Sequence, residues 1–214
     1  MISIKTLVFN PFSENTYILY DKTRECAIID PGCYGSEEEK ELVAFIDDHK
    51  LRPVLLLNTH CHIDHVLGNK FVRDYYNLPL QIPEHDKSTY DAVPTYASIY
   101  GFPDYQHIKE DRLIKENELL TFGEAELQAI FLPGHTKGHL AFIEEQSRVC
   151  LAGDVLFEGS IGRTDLPGGD FDTLIRSIQQ TLFEFPDDMT VYPGHGPTTT
   201  LGQEKRHNPF CAVN

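Results

Sequence analysis

The chain has 214 residues, of which 41% are hydrophobic and 24% charged, a balance typical of globular domains that excludes wholesale disorder and leaves room for a sizeable apolar core. A formal net charge of −15 repels phosphate backbones and anionic lipid, so neither nucleic acid nor a membrane surface is an expected partner. The opening Met1 to Phe12 holds one basic side chain, Lys5, and no sustained apolar run, so no secretion signal or spanning helix is expected there and the expected compartment is cytoplasmic.

In chain order, residues 2–8, 16–20 and 26–29 are short runs rich in β-branched and aromatic side chains, punctuated by Pro11 and Asp21-Lys22. They predict an opening antiparallel meander. Ser36 followed by Glu39 has the form of a capping box, and Leu42, Val43, Phe45 and Ile46 then supply one apolar helical face that ends near His49. Residues 53–57 form an apolar run of strand length, the pattern of a strand covered on both faces, and a second helix is predicted over 66–76. From 83 to 117 the pattern is interrupted by Pro94, Gly101 and Pro103, with Tyr90, Tyr96, Tyr100 and Tyr105 among them, and an inserted flap is expected.

Apolar runs at 127–132, 149–152 and 189–192 read as further strands, with another at 140–144 and a helix over 171–185. Both halves thus join strands to helices. That order predicts an α/β chain in which two sheets pack face to face with helices outside, a four-layer sandwich, as one domain spanning 1–214. The five cysteines, Cys26, Cys33, Cys61, Cys150 and Cys211, form no C-x-x-C pair, as expected of structural thiols that stay reduced.

His60, His62, Asp64 and His65 stand within six residues of one another just after the 53–57 strand. His135 follows the 127–132 run, Asp154 the 149–152 run and His195 the 189–192 run. Ligands gather at the carboxyl ends of strands in α/β sheets, so four strand exits can converge on one crevice. Seven potential ligands are too many for one ion, and a set made of nitrogen and oxygen without thiolate favours a catalytic site with two ions over a closed structural zinc. Gly134, Gly153, Gly194 and Gly196 flank these positions and permit turns that other residues resist. Any one of these histidines alone reads as an ordinary surface or core residue; the ordered set does not. His49, His85, His107 and His207 lack this placement and are expected at the surface. His139, four residues after His135, is placed to orient a ligand through a hydrogen bond, and Cys61 is expected to face the protein interior.

The H-x-H-x-D-H motif of His60, His62, Asp64 and His65, followed in order by His135, Asp154 and His195, resembles the metallo-β-lactamase superfamily across nearly the whole chain. Within it, Leu132-Pro133-Gly134-His135-Thr136-Lys137-Gly138-His139, Gly153-Asp154 and Pro193-Gly194-His195-Gly196 are similar to the glyoxalase II branch, thioester hydrolases acting on hydroxyacyl-glutathione. The run Gly162-Arg163-Thr164-Asp165-Leu166-Pro167-Gly168-Gly169-Asp170 is similar to short bacterial members of that branch. The resemblance implies an αββα sandwich of two mixed sheets. It also implies one metal held by His60, His62 and His135, another by Asp64, His65 and His195, and Asp154 bridging them. Longer glutathione-using members continue with a helical domain that grips the thiol carrier, so the carrier used here stays open.

The expected activity is hydrolysis of a small-molecule thioester such as lactoylglutathione. Two cations sharing a water lower its pKa toward neutrality, and a bridging hydroxide is the expected nucleophile, with Asp64 and Asp154 as the catalytic carboxylates of the set. Zinc is the expected ion, with iron and manganese as alternatives. A thiol of pKa about 8.5 leaves as thiolate with little help from a general acid. Arg163 is a candidate for a substrate carboxylate, with a surface salt bridge as its other use. The four tyrosines are candidates for a wall over the substrate or for packing against the core. Competing readings on the same ligand set are an iron-dependent persulfide dioxygenase and a lactone or β-lactam hydrolase. The oligomeric state stays open.

Overall fold

The computed structural model describes residues 1–213. The opening meander forms as its alternation predicts. Strands β1 (Ser3–Phe9), β2 (Glu14–Tyr20) and β3 (Glu25–Ile29) pair antiparallel in sequence order. Because side chains alternate across a strand, Tyr17 and Leu19 of β2 and Ala27 and Ile29 of β3 enter one core. Ile18, Cys26 and Ile28 enter another on the opposite face.

Beyond β3 the sheet becomes parallel, which requires crossovers. Helix α1 (Ser36–Asp48) leads to β4 (Arg52–Leu57), helices α2 (Ile63–Val66) and α3 (Asn69–Tyr76) to β5 (Leu80–Pro83), and α4 (Lys87–Tyr96) to β6 (Arg112–Ile114), giving the order β1-β2-β3-β4-β5-β6. The capping box expected of Ser36 and Glu39 does not form. Gly35, at φ 88°, is the N-cap and has no side chain to offer, while Glu38 accepts from the backbone N–H groups of Asn10 at 2.9 Å and Tyr34 at 2.7 Å. The single helix expected over 66–76 is two pieces, broken at Gly68. There the backbone N–H donates to the Pro31 carbonyl at 2.7 Å, and a Cβ would lie 2.4 Å from the Cys33 sulfur, so the chain must pass too close to the 31–33 loop to carry one regular helix. The 83–117 segment is stitched into the sheet at both ends by β5 and β6, and α4 stands between them.

The second sheet contains β7 (Leu119–Phe122), β8 (Ala125–Phe131), β9 (Leu140–Glu144) and β10 (Val149–Gly153), all antiparallel neighbours. A small hairpin of β11 (Leu156–Phe157) and β12 (Ser160–Ile161) follows. Helix α5 (Phe171–Gln180) then crosses to β13 (Thr190–Pro193), parallel to β10, before β14 (Thr199–Thr200) and α6 (Leu201–His207). Asp170 caps α5 by accepting from the Thr173 N–H at 2.8 Å. The helix predicted to reach Phe185 stops at Gln180, with one 3-10 turn over Leu182–Glu184 before Pro186.

Three cores define four layers. One lies between the sheets, another between the first sheet and α1, α3 and α4, and the third between the second sheet, α5 and α6. The αββα sandwich is therefore present, with both sheets mixed. Among the described residues, no helix is long and apolar enough to cross a membrane, and all five cysteines are free and buried.

Phe142 on β9 is fully buried between the sheets. Phe142→Ala is expected to lower unfolding free energy by about 3–5 kcal/mol, since two strand-braced sheets collapse poorly onto a cavity. Urea unfolding checks this, and a loss under about 1 kcal/mol would mean that the sheets share no tightly packed core.

Candidate active site

The seven residues picked out by their strand-exit positions converge. His60 and His62 leave β4 on an extended loop in which His62 is the N-cap of α2, and one turn of that helix carries Asp64 and His65. His135 follows β8, Asp154 follows β10 and His195 follows β13. Ring nitrogens of His60, His62 and His135 form one cluster and ligand atoms of Asp64, His65 and His195 another, each set lying within 4.8 Å. Asp154 lies between the clusters. Its Oδ1 is 3.5 Å from His65 Nε2, and its Oδ2 is 3.6 Å from both His135 Nε2 and His195 Nε2.

Two glycines make this approach possible for different reasons. Gly153 takes φ 47°, and a Cβ there would lie 2.4 Å from Thr59 Oγ1. Gly194 has no such backbone requirement, but its Cβ would lie 2.1 Å from Asp154 Oδ1. Only a residue without a side chain lets the His195 turn pass beside that carboxylate.

Hydrogen bonds fix which nitrogen of each ring faces the centre. An ionised carboxylate and a backbone carbonyl only accept, so a ring nitrogen facing one must donate. His65 Nδ1 faces Asp30 Oδ2 at 3.2 Å, His135 Nδ1 the Arg163 carbonyl at 2.8 Å, and His195 Nδ1 the Phe12 carbonyl at 3.1 Å. His60 Nδ1 faces Thr59 Oγ1 at 3.1 Å, and that hydroxyl donates onward to Asp30 Oδ2 at 2.6 Å. The Nε2 atoms of all four rings are thereby turned inward. His62 instead presents Nδ1, 2.9 Å from His135 Nε2. His60 Nε2, His65 Nε2 and Asp154 Oδ1 are buried without any hydrogen-bond partner, a costly state unless a cation occupies the centre. The two clusters fit divalent metal ions on that ground.

Burial pushes His62 down to about 3, helped by its neighbour His135, and it pushes His60 down as well, helped by His65. Both are bare imidazoles at neutral pH, the form that ligates metal. For His65 burial acts downward too, but the charges of Asp64 and Asp154 outweigh it and hold the ring well above the ordinary histidine value. For Asp154 burial acts upward and is outweighed by His65, His135 and His195, which hold the carboxyl well below the usual carboxylate range.

Above these groups opens a cleft of about 1110 Å³ with His62, Asp64, His135, Asp154 and His195 at its floor. His60 and His65 are fully buried and reach the centre from behind. Arg163 lines the cleft, but its guanidinium is paired with Asp165 through bonds of 2.8 and 2.7 Å. Its backbone carbonyl does the orienting work on His135, which residue identity alone does not reveal. The tyrosines divide. Tyr90 is fully buried, donating to the Ile108 carbonyl at 2.9 Å, and Tyr105 packs beside it in the first core, whereas Tyr96 and Tyr100 line the cleft. His139 is buried and accepts from the Asp154 N–H at 3.0 Å. His49, His85, His107 and His207 are exposed, and Cys61 is buried.

Several supporting residues escape sequence reasoning. Asn15 brackets the His195 turn by donating to the Pro193 and Gly196 carbonyls, both at 2.9 Å, and the Tyr17 hydroxyl donates to the same Pro193 carbonyl at 2.6 Å. Asp86 ties down the histidine loop by accepting from the Cys61 N–H at 2.7 Å. Asp30 does most. It accepts from the Thr59 N–H and hydroxyl, both at 2.6 Å, and from His65, so one carboxylate orients His65 directly and His60 through Thr59. A third grouping, Asp30 with His60 and His65, therefore reads as support rather than as a further cation cage. Asp30→Asn keeps the volume but turns an amide donor toward groups that are all donors. Metal affinity is expected to fall about 10–100-fold with the fold retained, as measured by competition with a chromogenic chelator; unchanged affinity would remove the orienting role.

A sequence model described as the metallo-beta-lactamase superfamily matches residues 9–195. The chain is 38% identical to hydroxyacylglutathione hydrolase GloC of Haemophilus influenzae, over 98% of both chains. Among solved structures, BLEG-1 B3 metallo-beta-lactamase superposes with a TM-score of 0.90 at 33% identity, covering 99% of this chain and 100% of that one. TTHA1623 in a di-iron-bound form gives 0.84 at 35% identity, covering 96% and 99%. With a strand-exit ligand set inside a matching sandwich along its whole length, the chain belongs to the metallo-beta-lactamase superfamily.

Proposed function

We propose that the protein is a thioester hydrolase of glyoxalase II type, carrying two divalent ions in the His60, His62, His135 and Asp64, His65, His195 clusters with Asp154 shared between them. The observation that carries this reading is the position of Asp154, whose two oxygens face histidines of both clusters at the floor of an open cleft. Such ions, when bound, supply a nucleophile from water near neutral pH and polarise the acyl carbonyl. The chain's part is to hold Asp64 and Asp154 ionised, keep His60 and His62 neutral, aim the ring nitrogens at the centre, and leave one side open to substrate. Outside the ligand set, and among the described residues, the cleft lining holds no further imidazole and a single carboxyl, the exposed Glu158 in the β11–β12 turn. A thioester suits that arrangement because its thiolate leaves unaided, whereas an amide needs its nitrogen protonated. The 38% identity to a hydroxyacylglutathione hydrolase supports the same class.

Nitrogen and oxygen ligands accept zinc, iron or manganese, and the relative described in a di-iron-bound form keeps iron in view. Iron would open a persulfide dioxygenase reading, and the similarity to a B3 metallo-beta-lactamase a β-lactam or lactone hydrolase reading. The complete second cluster, Asp64 with His65 and His195, favours hydrolysis over one-ion oxygen chemistry.

Chelator treatment is expected to abolish cleavage of lactoylglutathione, and readdition of single metals to restore it. Asp154→Ala is expected to lower kcat by more than about 100-fold, beyond the loss from an orienting partner, and to reduce bound metal per chain by elemental analysis. Full turnover after chelation would sink the metal reading. Oxygen uptake with glutathione persulfide, or turnover of lactones or β-lactams alone, would move the protein to the competing class.

A further inference from the structure

Two features of the cleft walls are not used by the chemistry on its floor. The first is a row of aromatic edges. Phe12, at the tip of the β1–β2 turn, meets Tyr100 edge-on with ring centroids 6.4 Å apart and Phe102 at 5.6 Å, and Tyr100 meets Tyr96 at 5.5 Å. Phe102 is buried behind the row, whereas Phe12 and Tyr100 are 41% and 46% exposed and line the cleft. Apolar surface left in water at the mouth of a concave site is surface that a ligand can cover. Across the cleft Phe157, Ile161 and Leu166 continue the apolar lining.

The second feature is Lys137. It lies two residues beyond His135 and lines the cleft, its stem running along Gly168, where a Cβ would stand 3.3 Å from Lys137 Cγ. Of the two cations in the cleft, Arg163 is held by Asp165, while Lys137 forms no ion pair among the described residues. On a chain of net charge −15 most of the surface repels anions, and Lys137 marks a place in the cleft that attracts one.

We propose that the cleft selects amphiphilic thioesters, seating an aromatic or comparably bulky apolar acyl group on Phe12, Tyr96 and Tyr100 and meeting a carboxylate on the thiol portion with Lys137. Which bond is cut rests on the thioesterase reading; the binding of such a molecule does not. Size favours it. Small-molecule sites cover most of their ligand's surface, and a short hydroxyacyl group would leave the aromatic row in water.

Calorimetric titration with three thioethers that cannot be hydrolysed tests both halves: S-benzyl-3-mercaptopropionate, its S-methyl counterpart, and S-benzyl-3-mercaptopropionamide. The metal-loaded and chelator-treated proteins are both titrated, so that a carboxylate bound by metal is told apart from one bound by Lys137. The benzyl acid is expected to bind about tenfold more tightly than the methyl acid and several-fold more tightly than the benzyl amide. Tyr100→Ala is expected to remove most of the benzyl advantage, and Lys137→Ala most of the carboxylate advantage. Equal affinity for the benzyl and methyl acids would overturn the aromatic seat, and a carboxylate preference that survives Lys137→Ala in metal-free protein would overturn the Lys137 assignment. Absence of binding by all three probes would overturn both. Should the probes bind as expected while no thioester of the same carrier is cleaved, the thioesterase reading fails and the binding preference stands.

Discussion

Taking a carboxylate out of water is costly unless opposite charge compensates it, and at the centre of this site Asp154 is only 8% exposed. Three histidines at 3.5–3.6 Å keep it ionised, and those histidines come from separate strand exits in both sheets. His65 follows β4 of the first sheet, while His135 and His195 follow β8 and β13 of the second. The charge balance at Asp154 therefore holds only while the sheets keep their spacing. The inter-sheet core, with Leu57 from one side and Leu140, Phe142 and Leu151 from the other, fixes that spacing. Packing with no chemistry of its own thus sets the distances on which the chemistry depends.

Around this centre lies an outer ring of groups whose work is to settle tautomers. A histidine offers one lone pair, and which nitrogen carries it depends on what the other nitrogen meets. Asp30 spends both oxygens on Thr59 and His65, so the proton positions of His60 and His65 are decided by one side chain at the end of β3. For His135 and His195 the deciding acceptors are main-chain carbonyls, of Arg163 and Phe12.

The strand exits at His60, His135, Asp154 and His195 were legible in the sequence because each is an imidazole or carboxylate directly after an apolar run, and four such exits together are hard to explain otherwise. Asp30 sits at an equivalent exit, after Ile29 and before Pro31-Gly32, but one carboxylate without histidine company carries no signal. The main-chain acceptors leave none either, since any residue has a carbonyl. Strand β6 is three residues long and β14 two, too short for alternation to register. Helix α6 begins Leu201-Gly202, and glycine weakens the helical pattern there; a Cβ at 202 would crowd Asp187 at 2.9 Å. Ser36 and Glu39 match a capping box, yet the helix begins one residue earlier than that pattern requires, because Gly35 takes the N-cap place at φ 88° and ψ 163°, a backbone conformation open to glycine. For Asp30, the carbonyl acceptors and Gly202 the deciding contact is with a segment distant in sequence or with a backbone atom, and local pattern encodes neither.

Floor and wall of the cleft are built from the same short segments. Phe12 gives its carbonyl to His195 and its ring to the aromatic row. Arg163 gives its carbonyl to His135 and its guanidinium to the cleft wall. In these two segments a ligand is oriented through a backbone carbonyl that every amino acid has, while the face shown to the cleft runs through side chains. Such a division lets substitutions at the wall change which molecule is bound without disturbing how the floor is held. It gives a physical reason why proteins described as a hydroxyacylglutathione hydrolase and a B3 metallo-beta-lactamase align with this chain over nearly its whole length at 38% and 33% identity. Fold similarity therefore bears on the floor, and under the proposed binding mode the choice of substrate lies with Phe12, Tyr96, Tyr100 and Lys137.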